Sequence, residues 1–288
     1  MYIIINLLVF VFTLFLYIHI FYHIKTSNYL EIYEIDNISK DKFEELCNYK
    51  QPILLNDYSM LNNINIDSIY EKYGNFDIKI LKKNTENIYL PIKFKNAYEL
   101  FNIDNSFIYI SDNNMDFLEE TTLNKEFSKE DSFLRPFNIS NIYYNIILGS
   151  KNHYSKLKYN LNSRNYFYVL DGNVEIMLCC PNNYKYLHLE KDYENFEFFS
   201  NIDLNNVEDN YKNDFDKVKF LKVNLTRGKL LQIPPYWFYS IKILDDKTLL
   251  ANLNYRTYMN MLAISPDIFI HFLQNNNIKI TSTKILDV

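Results

Sequence analysis

The chain is short of the residues that usually punctuate a fold: 4 glycines, 7 prolines and 1 tryptophan in 288 residues. It contains no Gly-rich phosphate loop, no Cys-x-x-Cys pair and no internal repeat, which removes the nucleotide, zinc and solenoid signatures those patterns carry. Its 3 cysteines, Cys47, Cys179 and Cys180, form no paired framework. Adjacent Cys179 and Cys180 point to opposite faces of a strand, so all three read as small apolar residues of a reducing compartment. A basic stripe is also missing. With 30 Lys and Arg interspersed among 35 Asp and Glu, the net charge is −5, and the electrostatic footprint of a nucleic-acid binder is excluded.

Aromatic residues are abundant instead, with 26 Tyr and 22 Phe. Asn, Ile and Lys are frequent too, a bias that nucleotide composition alone produces, so single Asn, Tyr or Lys residues carry little weight. The length allows one large domain or two small ones with a sizeable core.

Tyr2 to Tyr22 is almost wholly Ile, Leu, Val, Phe and Tyr, with Thr13 and His19 as its clearly polar members. A helix of roughly twenty residues spans the ~30 Å hydrocarbon core, so residues 1–24 are expected to be a single-pass membrane anchor. A cleaved signal peptide would want a basic start and a small-residue exit, but no Lys or Arg precedes Lys25 and the exit reads Tyr22-His23-Ile24. A buried core helix is seldom apolar on every face. Lys25, Lys40 and Lys42 follow the segment and favour a cytoplasmic soluble part, as do the unpaired cysteines. Sequons at Asn37, Asn138 and Asn224 point the other way, although an Asn-rich chain produces them by chance.

Beyond the anchor, Lys40 to Tyr49 has a helical apolar face capped by Ser39. Pro52 ends it, and Ile53-Leu54-Leu55 follows as a buried strand. Ile66 to Tyr73 is a second helix closed by Gly74. Phe76–Leu81, Ile88–Ile92 and Phe107–Ile110 read as strands, Ala97–Phe101 as a helix, and acidic, irregular Met115–Ser128 as a surface helix or loop. From Asn141 short strands repeat: 142–148, 156–159, 166–170, 174–178, 220–224, 229–233, 239–244 and 249–255. Asp171-Gly172 carries a hairpin signal, because the tight primed turn needs positive φ. Pro181–Asp216 is a long acidic connection placed to cover one end of the fold. Met259–Asn275 reads as helical.

The chain is organised around Asn224–Ile241, NLTRGKLLQIPPYWFYSI: a turn at Arg227-Gly228-Lys229, an apolar strand, a rigid Pro234-Pro235 step and an aromatic run. This order suggests a strand pair with a stiff corner. It also resembles the cupin-like and jumonji C-type oxygenases, in which a Gly-Asp turn, an apolar strand and Pro-Pro-Gly-Trp precede an iron-binding His. Gly149–Asn160, GSKNHYSKLKYN, supports the resemblance, since relatives read Gly, a loop, Thr or Ser, then Leu-His-x-Asp. Asn165-Tyr166-Phe167 through Asp171-Gly172 to Leu178 and Pro181 continues it. Weaker matches cover Phe43–Asn56, Ile69–Gly74, Leu134-Arg135-Pro136 and Asn201–Phe215.

The resemblance implies an α+β fold: an N-terminal helix–strand part (25–140), a double-stranded β-helix or jelly roll (141–258) and a helical tail (259–288). It also places Lys158, Asn160 and Tyr239 where relatives carry the metal-binding His, Asp and second His. Val174 stands where many hold a Lys for the oxoglutarate carboxylate, and Tyr236 stands at the Gly of Pro-Pro-Gly-Trp. An ammonium has no lone pair to donate, an amide offers a neutral carbonyl, and a phenol with pKa near ~10 keeps its proton. No metal, cofactor or catalytic residue is therefore expected. Lys158, Asn160 and Tyr239 are expected to meet at the barrel mouth in a polar network in which Asn160 and Tyr239 supply acceptors to the lysine, with Ser155, Asn165 and Trp237 as further ligand-binding candidates.

The expected function is a membrane-anchored binding or scaffolding module for a protein partner or small ligand, with no nucleic acid. The alternative is an Fe(II)/2-oxoglutarate-dependent protein or small-molecule hydroxylase with displaced ligands, bringing His153 and His188 to the mouth with Asp171 or Asp203.

Overall fold

The computed structural model describes residues 2–61, 63–82, 89–103 and 109–286, with side chains through Asn277. Helix α1 (Tyr2–Ile24) is followed by β1 (Tyr33–Ile35), α2 (Lys40–Cys47), β2 (Ile53–Leu55), α3 (Ile66–Tyr73), β3 (Asp77–Lys82), β4 (Leu90–Lys93), α4 (Phe94–Ile103), β5 (Tyr109–Ser111), α5 (Met115–Glu120) and α6 (Leu123–Glu130). The cap foreseen for α2 is present, with Ser39 accepting from the Lys42 amide, and Gly74 closes α3 as expected. At the start of α3, Asn65 and Ser68 add a reciprocal capping box that was not foreseen from the sequence. Ile88 and Phe107, expected at two strand starts, lie outside the described residues.

Strands β6 (Ile139–Gly149), β7 (Lys158–Tyr159), β8 (Arg164–Asp171), β9 (Asn173–Cys179), β10 (Leu189–Asp192) and β11 (Glu197–Ser200) come next. Helix α7 (Asp209–Phe215), β12 (Leu221–Thr226), β13 (Leu230–Gln232), β14 (Phe238–Ile243), β15 (Leu249–Thr257), α8 (Tyr258–Ala263) and α9 (Ser265–Leu286) complete the chain. Two sheets result, one of nine strands in the order β1-β2-β13-β8-β15-β6-β5-β3-β4 and one of six in the order β10-β11-β7-β14-β9-β12. Strands β6, β15, β8 and β13 of the first face β7, β14, β9 and β12 of the second, the arrangement of a jelly roll.

This topology revises how the turns work. Asp171-Gly172 joins β8 to β9, yet β8 pairs with β13 and β15, and β9 pairs with β12 and β14. The turn is a corner between sheets rather than a hairpin. The same holds at Gly228 between β12 and β13, and at Pro234-Pro235 between β13 and β14. The expected strand pair around Pro234-Pro235 is instead one strand of each sheet. At Gly172, φ is +70°, and a Cβ would lie 2.5 Å from Thr248 Oγ1 and 2.7 Å from the Lys247 carbonyl oxygen. Gly228 has φ of +88° but open space around it. Gly172→Ala is therefore expected to lose about 1–3 kcal/mol from backbone strain alone, with the clash added. Gly228→Ala should lose only the strain, and urea midpoints of the two variants measure the difference.

Strand β8 is buried on both faces, which explains why Tyr166-Phe167-Tyr168-Val169-Leu170 reads as an unbroken apolar run. Phe167 and Val169 face the barrel interior with Ile176, Leu178, Leu231, Trp237, Tyr239 and Ile241. Tyr166, Tyr168 and Leu170 face the helical layer, meeting Phe43, Ile69, Phe94, Phe117 and Phe127. Of the helix or loop expected at the surface over residues 115–128, the structure forms helices, and they are not peripheral: α5 and α6 bury Phe117, Leu118, Leu123 and Phe127 against the first sheet. Their acids lie on the outer side, so the acidic composition concealed a 3.6-residue apolar face. Buried Asp131 fastens this layer, accepting bonds from Arg135 Nε at 2.6 Å, the Tyr144 hydroxyl at 2.5 Å and the Tyr255 hydroxyl at 2.7 Å.

The acidic connection of residues 181–216 is more structured than a loop, since β10 and β11 pair with each other and β11 pairs with β7. In consequence the expected strand 156–159 shortens to Lys158–Tyr159, squeezed between β11 and β14. The C-terminal helix runs on past Asn275 to Leu286.

Candidate functional site

A cavity of about 240 Å³ opens at one end of the barrel. Its polar wall is made by Tyr89, Asp112, His153, Lys156, Lys158 and Glu197, with Asn201 and Asp203 at the rim. The sheets explain this convergence. Asp112 immediately follows β5 in the nine-stranded sheet, Lys158 starts β7 in the six-stranded sheet, and Glu197 starts β11 beside it. A contact between Asp112 and Lys158 therefore ties the two sheets together across the barrel mouth.

Lys158 Nζ lies 2.7 Å from Asp112 Oδ2 and 3.8 Å from Glu197 Oε1. The two side chains of the closer pair are 17% and 8% exposed, so water screens them little. Burial alone would drive the Lys158 ammonium toward neutrality, but the charge of Asp112, with that of Glu197 behind it, reverses this and holds its pKa well above the ordinary lysine value. Burial likewise opposes ionisation of Asp112. The Lys158 charge and hydrogen bonds from Lys158 and Tyr89 overcome it, so the carboxyl sits below its usual range. The Tyr89 hydroxyl donates to Asp112 Oδ1 at 2.9 Å. Glu197 is pushed up, by burial first, with attraction to Lys158 only partly offsetting it.

The three residues placed by resemblance at the metal-ligand positions do come together. Lys158 pairs with Tyr239 across β7 and β14, and the Asn160 side chain hydrogen-bonds the Tyr239 hydroxyl. Asn160 Oδ1 also accepts from the Asn162 amide at 3.1 Å. The expected network is corrected in one respect: the oxygens that neutralise Lys158 belong to Asp112 and Glu197, not to Asn160 and Tyr239. A carboxylate is the stronger acceptor for a buried ammonium, and Asp112 lies within reach only because the first sheet extends through β5.

Ser155 lines the cavity, where its Oγ accepts from the Ile241 amide at 2.9 Å. Asn165 and Trp237 do not line it. Asn165 is fully buried in β8, its Oδ1 accepting from Asn252 Nδ2 at 2.7 Å. Trp237 fills the barrel interior with Nε1 donating to the Lys50 carbonyl at 3.1 Å. Ahead of it, Tyr236 holds φ of +68°, the left-handed conformation for which the glycine of the related motif is suited. The motif keeps its backbone shape although its glycine is gone.

The displaced-ligand residues separate. His153 and Asp203 reach the cavity, whereas His188 Nε2 pairs with Asp214 at 3.0 Å outside the barrel. Asp171 accepts from the Ile66 amide at 3.3 Å. Among the described residues no group of three or more His, Cys, Asp or Glu side chains is arranged to hold a metal ion. An ammonium, a primary amide and a protonated phenol do not fit Fe(II), whose facial sites are built from imidazole and carboxylate. Asp112, Tyr89 and Glu197 were not legible as site residues: each is a lone residue in a segment without a motif, and Asp112 stands 46 positions from its lysine.

Two facing sheets of four inner strands each, with the chain crossing between them at Gly172, Gly228 and Pro234-Pro235 and a polar cavity at one mouth, define a jelly-roll barrel. The chain belongs to the cupin-like family: the cupin-like domain matches residues 28–261, from just beyond α1 into α8. Comparison with curated proteins finds no match.

Proposed function

We propose that this protein is a membrane-anchored, non-catalytic cupin-like domain that acts as a binding module through its barrel mouth. The observation that carries this reading is the Asp112–Lys158 pair. At the position where related oxygenases present a neutral imidazole to iron, this chain presents an ammonium closed on a carboxylate at 2.7 Å. A cation placed there would meet like charge, and both Asp112 oxygens are already engaged, by Lys158 and by Tyr89. The cavity in front of the pair has balanced charge and suits a small polar ligand or a polar partner side chain. Helix α1, long and apolar enough to cross a membrane, is read as the anchor, with the barrel on the cytoplasmic side.

The test uses the full chain in detergent, with Fe(II) or Mn(II), with and without 2-oxoglutarate. A ligand that binds only the native state at ~100 times its dissociation constant stabilises it by about 2.7 kcal/mol. The expected result is no bound metal and no shift of the melting curve. Stoichiometric metal with an oxoglutarate-dependent shift would replace this reading with a hydroxylase that recruits His153 and Asp203 at the cavity.

A further inference from the structure

Helix α1 is not joined to the barrel by a free linker. Residues 2–15 are exposed on all sides, but Leu16, His19, Ile20, Tyr22 and His23 become half-buried where the end of the helix packs along α8. The Tyr22 hydroxyl donates to Asn48 Oδ1, and the Lys50 ammonium sits 4.5 Å above the Tyr22 ring. These contacts fix the foot of the anchor against the domain. Whatever medium surrounds the upper part of α1 therefore meets the domain surface beside α8.

That surface is apolar. Phe137, Tyr258, Leu262, Phe269, Phe272 and Leu273 are all exposed. Tyr258 is brought beside Phe137 by its amide, which donates to the Asn138 carbonyl at 3.2 Å. In α9, Phe269, Phe272 and Leu273 stand at i, i+3 and i+4, so they share one face. The opposite face is fastened to the barrel: Ile264 and Ile268 pack with Tyr193, Phe196 and Phe198, and His271 Nδ1 lies 2.5 Å from the Tyr193 carbonyl. The helix is held with its aromatic stripe outward, the reverse of what a helix facing water on that side requires. Exposed patches of this kind mark interaction sites.

A groove lined by Ile24, Asn28, Tyr184, Leu189, Lys191 and Tyr236 opens at the foot of α1. Lys191 lies 3.8 Å from Asp267 in the first turn of α9. Tyrosines and a lysine bordering an aromatic stripe have the composition of a membrane–water boundary, where amphipathic rings sit at headgroup level and basic side chains reach outward.

We propose that the outer face of α8 and α9 lies in the interfacial layer of the bilayer that α1 enters, so that the barrel is seated on the membrane in one orientation. The occupant of the apolar stripe is lipid, with Phe269, Phe272 and Leu273 at the headgroup–acyl boundary in the manner of an in-plane amphipathic helix. The proposal rests on the anchor reading of α1, because the fixed foot of that helix is what brings lipid to this face.

The experiment uses the full chain in nanodiscs, with an environment-sensitive fluorophore on single cysteines introduced at Val9, Phe269, Phe272 or Gln274. The three native thiols are buried, and a chain without introduced cysteines, carried through the same labelling, gives the background. Labels at Phe269 and Phe272 are expected to shift to the blue, to lose most of their emission to a quencher carried on the lipid and to resist iodide. The label at Gln274, exposed on another side of α9, should respond to iodide instead. Equal iodide quenching at all three α9 positions, with Val9 quenched by lipid, overturns the seating while leaving the anchor intact. Iodide quenching at Val9 as well overturns the anchor and the seating together. Shielding at Phe272 without lipid quenching, lost when each disc holds one chain, shows a second copy on this face and also overturns the proposal.

Discussion

Replacing Asp112 by Ala is expected to destabilise the fold by about 3–5 kcal/mol, because it leaves the Lys158 ammonium buried with only the more distant Glu197 to oppose it. Lys158→Met should cost a similar amount by stranding the Asp112 carboxylate. The double variant Asp112→Leu/Lys158→Met should recover much of the loss, since replacing a buried pair by apolar groups of similar volume is often neutral. Urea unfolding of the wild-type chain, Asp112→Leu, Lys158→Met and the double variant, followed by circular dichroism, closes this cycle. Additive single losses would mean that the two side chains do not act as a pair.

The same pair sets a pH dependence. The folded Asp112 carboxyl is held below its unfolded value near ~3.9, so its stabilisation is fully present above that pH and is lost as pH falls through the lower folded value. Folded Lys158 is held above its unfolded value near ~10.4, so its contribution is complete below that pH and is lost as pH rises through the higher folded value. Glu197 has the opposite sign for an acid. Its folded pKa is raised, so ionising it at neutral pH weakens the fold, and protonation in mild acid restores part of that stability. Glu197→Gln should flatten this last feature. Asp112→Ala should remove the acid limb below ~4.

Trp237→Ala carries the second large effect, about 3–5 kcal/mol for emptying a fully buried indole site in the barrel interior. Part of that loss is polar, since the Lys50 carbonyl gives up the Nε1 donor it holds at 3.1 Å. Trp237→Phe isolates the polar part and should cost about 1–3 kcal/mol as a buried acceptor left without its partner. Because this is the chain's single tryptophan, unfolding must be followed by circular dichroism. An unchanged denaturant slope with a lower midpoint would show that stability changed while the compactness of the denatured state did not. A loss below about 1 kcal/mol for Trp237→Ala would mean that the barrel interior closes over the vacated volume.

Elements with local signals were legible. Helices α2 and α3 announced themselves through Ser39 and through the apolar spacing that ends at Gly74, and both ends are where the capping chemistry puts them. Helices α5 and α6 were hidden because their acids outnumber their core residues, leaving Phe117, Leu118, Leu123 and Phe127 as the whole signal. Glycine at position 172 correctly marked a backbone of positive φ, although a positive φ serves a hairpin and a corner between sheets equally well. Which of the two it makes depends on strands such as β15, which pairs with β8 from far along the chain.

For the site, the resemblance located Lys158, Asn160 and Tyr239 together, and the distant strands β7 and β14 do bring Lys158 and Tyr239 into register. It misplaced Asn165 and Trp237, whose side chains alternate to other faces of their strands and corners. What the sequence by itself determined is the apolar first helix and the run of short strands, which follow from periodicity and local propensity, while the resemblance singled out the residues at the barrel mouth. Only the tertiary structure decided what those residues do. Asp112 and Glu197 reach Lys158 because separate strands bring them there, and the charge of that lysine depends on the two carboxylates at its side rather than on its neighbours in the chain.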